Sequence, residues 1–107
     1  MNASQSKAWL RHYPEWTPHN LEYGETTLTD VYDATIAEYP DRPALTFFGR
    51  TLTYAEMDAK VRRAAAGLRA LGVRRGDKVA MVLPNCPQHV IAYHATLLLG
   101  AVVVEHN

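Results

Sequence analysis

Cysteine is nearly absent from this chain. The 107 residues contain only Cys86, so no disulfide can form within it and its stability has to come from packing. One cysteine also fits a reducing, intracellular setting. Excess charge is missing too. Eleven Lys and Arg balance eleven Asp and Glu, which excludes a global electrostatic pull toward nucleic acid or a membrane. Neither standard phosphate cradle occurs: there is no GxxxxGK[ST] and no GxGxxG. The glycines at 24, 49, 67, 72, 76 and 100 are scattered, and most fit turn or capping positions.

Long hydrophobic runs are also lacking. Residues 79–104 carry no Lys, Arg, Asp or Glu, but the longest apolar stretch, VIAYHATLLLGAVVV, has 15 residues and is broken by His94 and Gly100. A spanning helix needs roughly 20. The start, MNASQSKAWL, has one lysine and no apolar segment, so it does not read as a signal peptide. No repeat, low-complexity segment or internal domain boundary is present. The expected setting is therefore the cytoplasm, with at most peripheral contact with a membrane.

What remains is a globular pattern, with 48% apolar and 21% charged residues. Residues 1–26 have no periodicity and read as an extended arm whose Trp9, Tyr13 and Trp16 should lie on apolar surface. Leu28, Val31, Tyr32, Thr35, Ile36 and Tyr39 recur at helical spacing. Thr27 is the expected N-cap, Asp30 lies in the favourable first turn, and Pro40 ends the helix. ALTFFGRTLTY predicts a hairpin with strands at 44–48 and 51–53 and a turn at Gly49–Arg50.

The next helix opens with a capping box, Thr53 and Glu56. It shows a stripe of Tyr54, Met57, Val61, Ala64, Ala65, Leu68 and Leu71 and closes at Gly72. KVAMVL and AVVV then read as doubly buried strands flanking a helix that starts at Pro87 and stops at Gly100. Strand, helix and strand over this length form a βαβ unit with parallel strands. Two parallel strands are not a stable sheet by themselves. The fold class is thus α/β, and the 107 residues are expected to be an incomplete part of a larger doubly wound domain.

Candidate chemistry is sparse. His89 and His94 are five positions apart and do not share a helix face as a metal pair would. His12, His19 and His106 stand alone. His94 reads as a hydrogen-bonded core or interface residue. Cys86 precedes a helix start with no identifiable base beside it and reads as a packing residue. Charge is uneven along the chain. Residues 15–41 hold seven acids and no Lys or Arg, whereas residues 60–78 hold seven basic residues and only Asp77 as an acid. The basic run suits an anionic lipid surface or a phosphate-bearing ligand; solvated, mutually complementary helix faces are the plainer explanation. It lacks the interleaved aromatics of a nucleic-acid surface, so no nucleic-acid partner is expected.

LTYAEM opening a helix, LRALGVRRGDKVAMVLPN and LLLGAVVVEHN, with Phe47, Phe48 and Gly49 ahead of RTLTY, resemble the amino-terminal region of the adenylate-forming acyl-CoA synthetases. WLRHYPEW, TLTDVYDATIAEYPDRPAL and VVVEHN are further similar to bacterial long-chain fatty acid–CoA ligases. The resemblance runs from about Trp9 to Asn107. It implies activation of a fatty acid by ATP and Mg²⁺ to an acyl-adenylate and pyrophosphate, then thioester formation with coenzyme A and release of AMP.

The family performs this with parts that follow the region seen here: a Ser/Thr/Gly-rich phosphate loop ending in lysine, an adenine and Mg²⁺ segment, a ribose-binding aspartate and a lysine of a small carboxy-terminal domain. None has a matching position, so no catalytic, cofactor-binding or metal-binding residue is assigned. The chain is expected to be truncated, to be inactive alone, to bind no ATP, Mg²⁺ or CoA, and to self-associate through residues 79–104. Two other roles stay open: an adenylation domain that loads a carrier protein, and a non-enzymatic module that pairs its βαβ surface with another chain.

Overall fold

Two capping boxes set the helical half of the molecule. The computed structural model describes residues 7–106. Helix α1, Leu28–Glu38, begins where Thr27 Oγ1 accepts the Asp30 N–H at 3.1 Å and Asp30 Oδ2 accepts the Thr27 N–H at 2.8 Å. That backbone N–H, first, holds the Asp30 carboxyl below its usual range. Two short strands follow, β1 Pro43–Phe47 and β2 Arg50–Thr53, paired antiparallel. Helix α2, Tyr54–Ala70, repeats the box with Thr53 and Glu56, at 3.2 and 2.8 Å. Backbone bonds from Tyr54 to Arg42 and from Ala55 to Pro40 lock its first turn onto the segment leaving α1.

The hairpin turn differs from its expected place. Phe48 and Gly49 form it, with φ of 46° and 76°, and Arg50 already belongs to β2 opposite Phe47. A two-residue hairpin loop of this kind needs positive φ at both positions. Gly49 supplies one at no steric cost, and Phe48 is forced into the other.

The remaining elements are β3 Lys78–Val82, α3 Pro87–Leu98 and β4 Val102–His106. Strands β3 and β4 pair in parallel, Lys78 beside Val102 through Val82 beside His106, as the βαβ pattern requires. Pro87 takes the first helical position, where its missing N–H costs nothing. Gly100, with φ of 69°, turns the chain out of α3; its carbonyl accepts the Gly76 N–H, and the Val102 N–H reaches Asp77 O at 2.7 Å. The two sheets are separate, each of two strands.

The core lies where α1, α2 and α3 meet. Met57, Val61 and Ala65, at four-residue spacing on α2, pack with Tyr32 of α1 and Ala95 of α3, and Leu45 and Ile91 close the edges. Val61 is fully buried. Removing such a side chain from water is worth about 2 kcal/mol.

Several expectations are corrected here. Leu71 falls one position past the last residue of α2 and is 84% exposed, although its N–H still bonds to the Gly67 carbonyl at 3.0 Å. Leu28 and Val31 are exposed, since only the Tyr32 and Ile36 side of α1 meets its neighbours. The strands read as doubly buried are covered on one face: Met81 and Ala101 are buried, while Val82 is 73% exposed and Val102 is exposed as well. The arm contains a short 3-10 helix, Ala8–His12. Trp9, Tyr13 and Trp16 are exposed and do not lie on an apolar surface. The arm is held by its own contacts, a Thr17-to-Pro14 backbone bond and an edge-on contact of Tyr13 with His19.

Candidate functional site

The residues singled out for chemistry are not brought together. His12 accepts a hydrogen bond from Arg11, His19 meets Tyr13, and His106 ends β4. His94 stacks on Tyr32 with ring centroids 4.6 Å apart, which places it in the interhelical packing as expected, but through ring contacts in place of the expected hydrogen bond. Burial pushes its imidazole below the ordinary 6.5. Cys86 is the N-cap of α3, half-buried, and makes no capping hydrogen bond. Cys86 and His89 border one small cleft, but the His89 Nε2 faces Glu105 Oε2 of β4 at 3.2 Å. Among the described residues, no three His, Cys, Asp or Glu side chains converge as metal ligands.

Two arrangements were not legible beforehand. The Tyr32 hydroxyl donates to Asp58 Oδ1 at 2.9 Å, and Arg62 bridges Asp58 and Asp33 at 2.9 and 3.0 Å. Burial first, then the Asp58 carboxylate, keeps the Tyr32 phenol protonated well above its usual range. The i, i+4 pair Asp58–Arg62 was visible in the sequence, but its partners on α1 were not. Asp33–Arg62 is the one ion pair between the acid-rich and basic segments among the described residues.

The second arrangement is an open groove of about 630 Å³ between the hairpin, α2 and the start of α3. Its apolar walls include Phe47, Leu52 and Ile91, and Arg50, Lys60 and Arg63 border it. Lys60 and Arg63 are three positions apart and so share a face of α2. None of the three cations forms an ion pair among the described residues. Glu56 borders the adjoining part of the groove, with its carboxylate tied to the Thr53 N–H. The arrangement can bind an anion that carries an apolar body. It contains no nucleophile–base pair.

The described fold is a parallel βαβ unit preceded by a hairpin and a capped helix. Its membership follows from the comparisons. The model of the AMP-binding enzyme family matches residues 32–107, and the chain belongs to that family. Within it, the chain is similar to bacterial acyl-CoA synthetases. It is 40% identical over 101 residues to the long-chain-fatty-acid–CoA ligase of Bacillus subtilis (strain 168), covering 94% of this chain and 18% of that protein.

Two of the solved structures that share its fold illustrate the likeness. One is an artificially fused adenylation–PCP di-domain, NpsA-ThdA, from Klebsiella oxytoca. Its TM-score is 0.76 and its identity 33%, over 79% of this chain and 16% of that one. The other is the O-succinylbenzoate coenzyme A synthetase of Bacillus subtilis in complex with AMP. There the TM-score is 0.69 and the identity 38%, over 71% of this chain and 20% of that one. The chain therefore spans about a fifth or less of the length of these relatives.

Proposed function

We propose that the protein to which these residues belong is a long-chain fatty acid–CoA ligase, and that residues 1–107 form the opening part of its large, AMP-binding domain. The overall reaction is ATP, fatty acid and CoA to acyl-CoA, AMP and pyrophosphate, through an acyl-adenylate. ATP, Mg²⁺ and CoA belong to the whole enzyme, and the 107 residues alone bind none of them and turn over nothing. The observation that carries the reading is the 40% identity to the Bacillus ligase, which extends through the arm as well as the βαβ unit. On this reading α2, α3 and the two sheets are supporting framework, and the groups that touch substrate come from other parts of the enzyme.

The test is a chimaera. The matching 101 residues of the Bacillus ligase are replaced by those of this chain, and palmitoyl-CoA formation is measured with ATP and Mg²⁺. Retained activity is expected; a soluble, folded chimaera without activity counts against the assignment. In parallel, the 107-residue chain should give no acyl-AMP or acyl-CoA above a buffer blank. Turnover there would overturn the framework role.

A second reading, an adenylation domain that loads a carrier protein, is favoured by the likeness to the Klebsiella di-domain. The fate of the acyl group separates the two: on CoA for the ligase, on a phosphopantetheinyl carrier for the alternative.

A further inference from the structure

We propose that the open groove between the hairpin, α2 and the start of α3 is a binding site for an organic phosphate: a phosphomonoester on a single apolar chain, bound as a monomer. Arg50, Lys60 and Arg63 take the phosphate, and Phe47, Leu52 and Ile91 take the chain. The inference goes beyond the ligase reading and does not rest on it.

The first observation is how the groove is built. Phe47 of β1 lies directly across the ladder from Arg50 of β2. Residues opposite one another in an antiparallel pair share a face, so one rung supplies both an aromatic wall and a guanidinium. Lys60 and Arg63 come from one face of α2, and Ile91 from α3. Phe47 is exposed, and Leu52 and Ile91 are only half-buried, so the walls present apolar surface to the cavity. A volume of about 630 Å³ suits a small organic molecule, for which sites run roughly 300–1,000 Å³. An apolar chain covers those walls from water, which a hydrated polar body does not.

The second observation sets the head group. Three cations border one concavity, and two of them are arginines. A carboxylate carries one negative charge, whereas a phosphomonoester carries close to two at neutral pH. Planar guanidinium forks pair with phosphate oxygens in bidentate fashion. The acid at the adjoining rim, Glu56, is held at the cap of α2, where it accepts the Thr53 N–H at 2.8 Å. The first turn of α3 borders the groove through Pro87 and Gln88, and its partial positive charge has the same sign as the cations.

A cluster of arginines is not enough for such a site, and a second cluster in the chain shows why. Arg69, Arg74 and Arg75 surround a smaller cleft beside Leu98 and Leu99. There the Arg74 guanidinium donates to the Arg69 and Val73 carbonyls at 2.8 and 2.9 Å, closing the end of α2. The Arg75 stem lies against Gly100, its Cγ 3.1 Å from where a Cβ would sit. Among the described residues, the hydrogen bonds donated by arginine side chains come from Arg11, Arg62 and Arg74, so the groove cations carry no such duty.

The experiment is calorimetric titration of the 107-residue chain with dodecyl phosphate below its micelle-forming concentration, beside dodecanoate and inorganic phosphate. One saturable site per chain is expected, about tenfold tighter for dodecyl phosphate than for either comparison ligand. Arg50→Gln/Lys60→Gln/Arg63→Gln should weaken it about a hundredfold. Phe47→Ala should weaken dodecyl phosphate about fivefold and leave inorganic phosphate unchanged, a split that general damage to the fold would not give. Arg50→Lys/Arg63→Lys keeps the charge and removes the forks, and should fall between the parent and the triple variant. Binding should also weaken with added salt.

The proposal is overturned if dodecanoate binds as tightly as dodecyl phosphate, if the triple variant binds like the parent chain, or if Phe47→Ala leaves both phosphates unaffected. Should the triple variant lose its thermal transition, Arg50→Lys/Arg63→Lys decides in its place, and affinity equal to the parent's overturns the proposal. Binding that sets in only above the micelle-forming concentration also overturns it, because the groove would then be reading an aggregate and not a single molecule.

Discussion

The three-helix junction and the β3–β4 ribbon are built from equally apolar sequence, yet they end up in different environments. At the junction, one stripe on α2 meets α1 on one side and α3 on the other, and Val61 disappears from solvent. In the ribbon, valines of similar hydrophobicity are covered on one face, by α3, while Val82 and Val102 face outward. Residue type is the same in the two places and the number of packed neighbours is not. Burial energy accrues only where a second and third element arrive. A two-stranded parallel ribbon also leaves a free hydrogen-bonding edge on each strand, which the helical junction does not.

The sharpest way to break this comparison is to delete the same two methyl groups in each region. Val61→Ala should cost about 2 kcal/mol in urea denaturation, from lost burial and the cavity left behind. Val82→Ala should stay within about 0.5 kcal/mol. Equal losses would mean that the ribbon is covered as well as the core is.

Next in size is association. The open edges and outward valines should make the isolated chain oligomeric at about 100 µM, well above the range of ordinary weak contacts. Val102→Lys, which puts a charge on the exposed edge strand, should weaken that association about tenfold, near 1.4 kcal/mol. Light scattering reads both, and a monodisperse monomer for the parent chain would show that the ribbon needs no cover.

A smaller effect sharpens the description of the helical half. Thr53→Ala should cost about 1 kcal/mol, and Glu56→Ala somewhat less, because each removes one half of the reciprocal cap on α2. Unchanged midpoints for both would mean that α2 is held by packing alone.

The smallest effect is a pH slope. Burial holds His94 below 6.5 in the folded chain, so the unfolded chain binds the proton more readily. The His94 contribution is fully present above pH 6.5 and declines as the pH falls from there toward the depressed folded value. His94→Gln should flatten the stability profile across that window, and a slope unaltered by the substitution would place its origin elsewhere.

Local chemistry was readable from the sequence wherever it decided the outcome by itself. Thr53 with Glu56, Pro40 after α1, Pro87 at the start of α3 and Gly100 at its end each act within a few residues, and each stands where expected. The hairpin was legible, but its turn shifted by one position. Placing Gly49 second in the loop commits Phe48 to positive φ, a consequence of pairing geometry and not of either residue's preference. The cationic groove was half legible. The basic run from Lys60 to Lys78 was evident, but Arg50 joins Lys60 and Arg63 only because the hairpin folds back onto α2, and the rest of the run does not border the groove.

The amino-acid sequence by itself determined the elements of this protein, their order and the parallel pairing of its last two strands. Caps, turns and hydrophobic periods are set by interactions a few residues long, and a short strand–helix–strand unit leaves few ways to close. Tertiary structure alone decided which apolar faces are buried, that Tyr32 reaches Asp58, that His94 stacks on Tyr32, and that Phe47 and three cations share one groove. Those outcomes depend on which elements come to lie beside one another, and no local pattern carries that information.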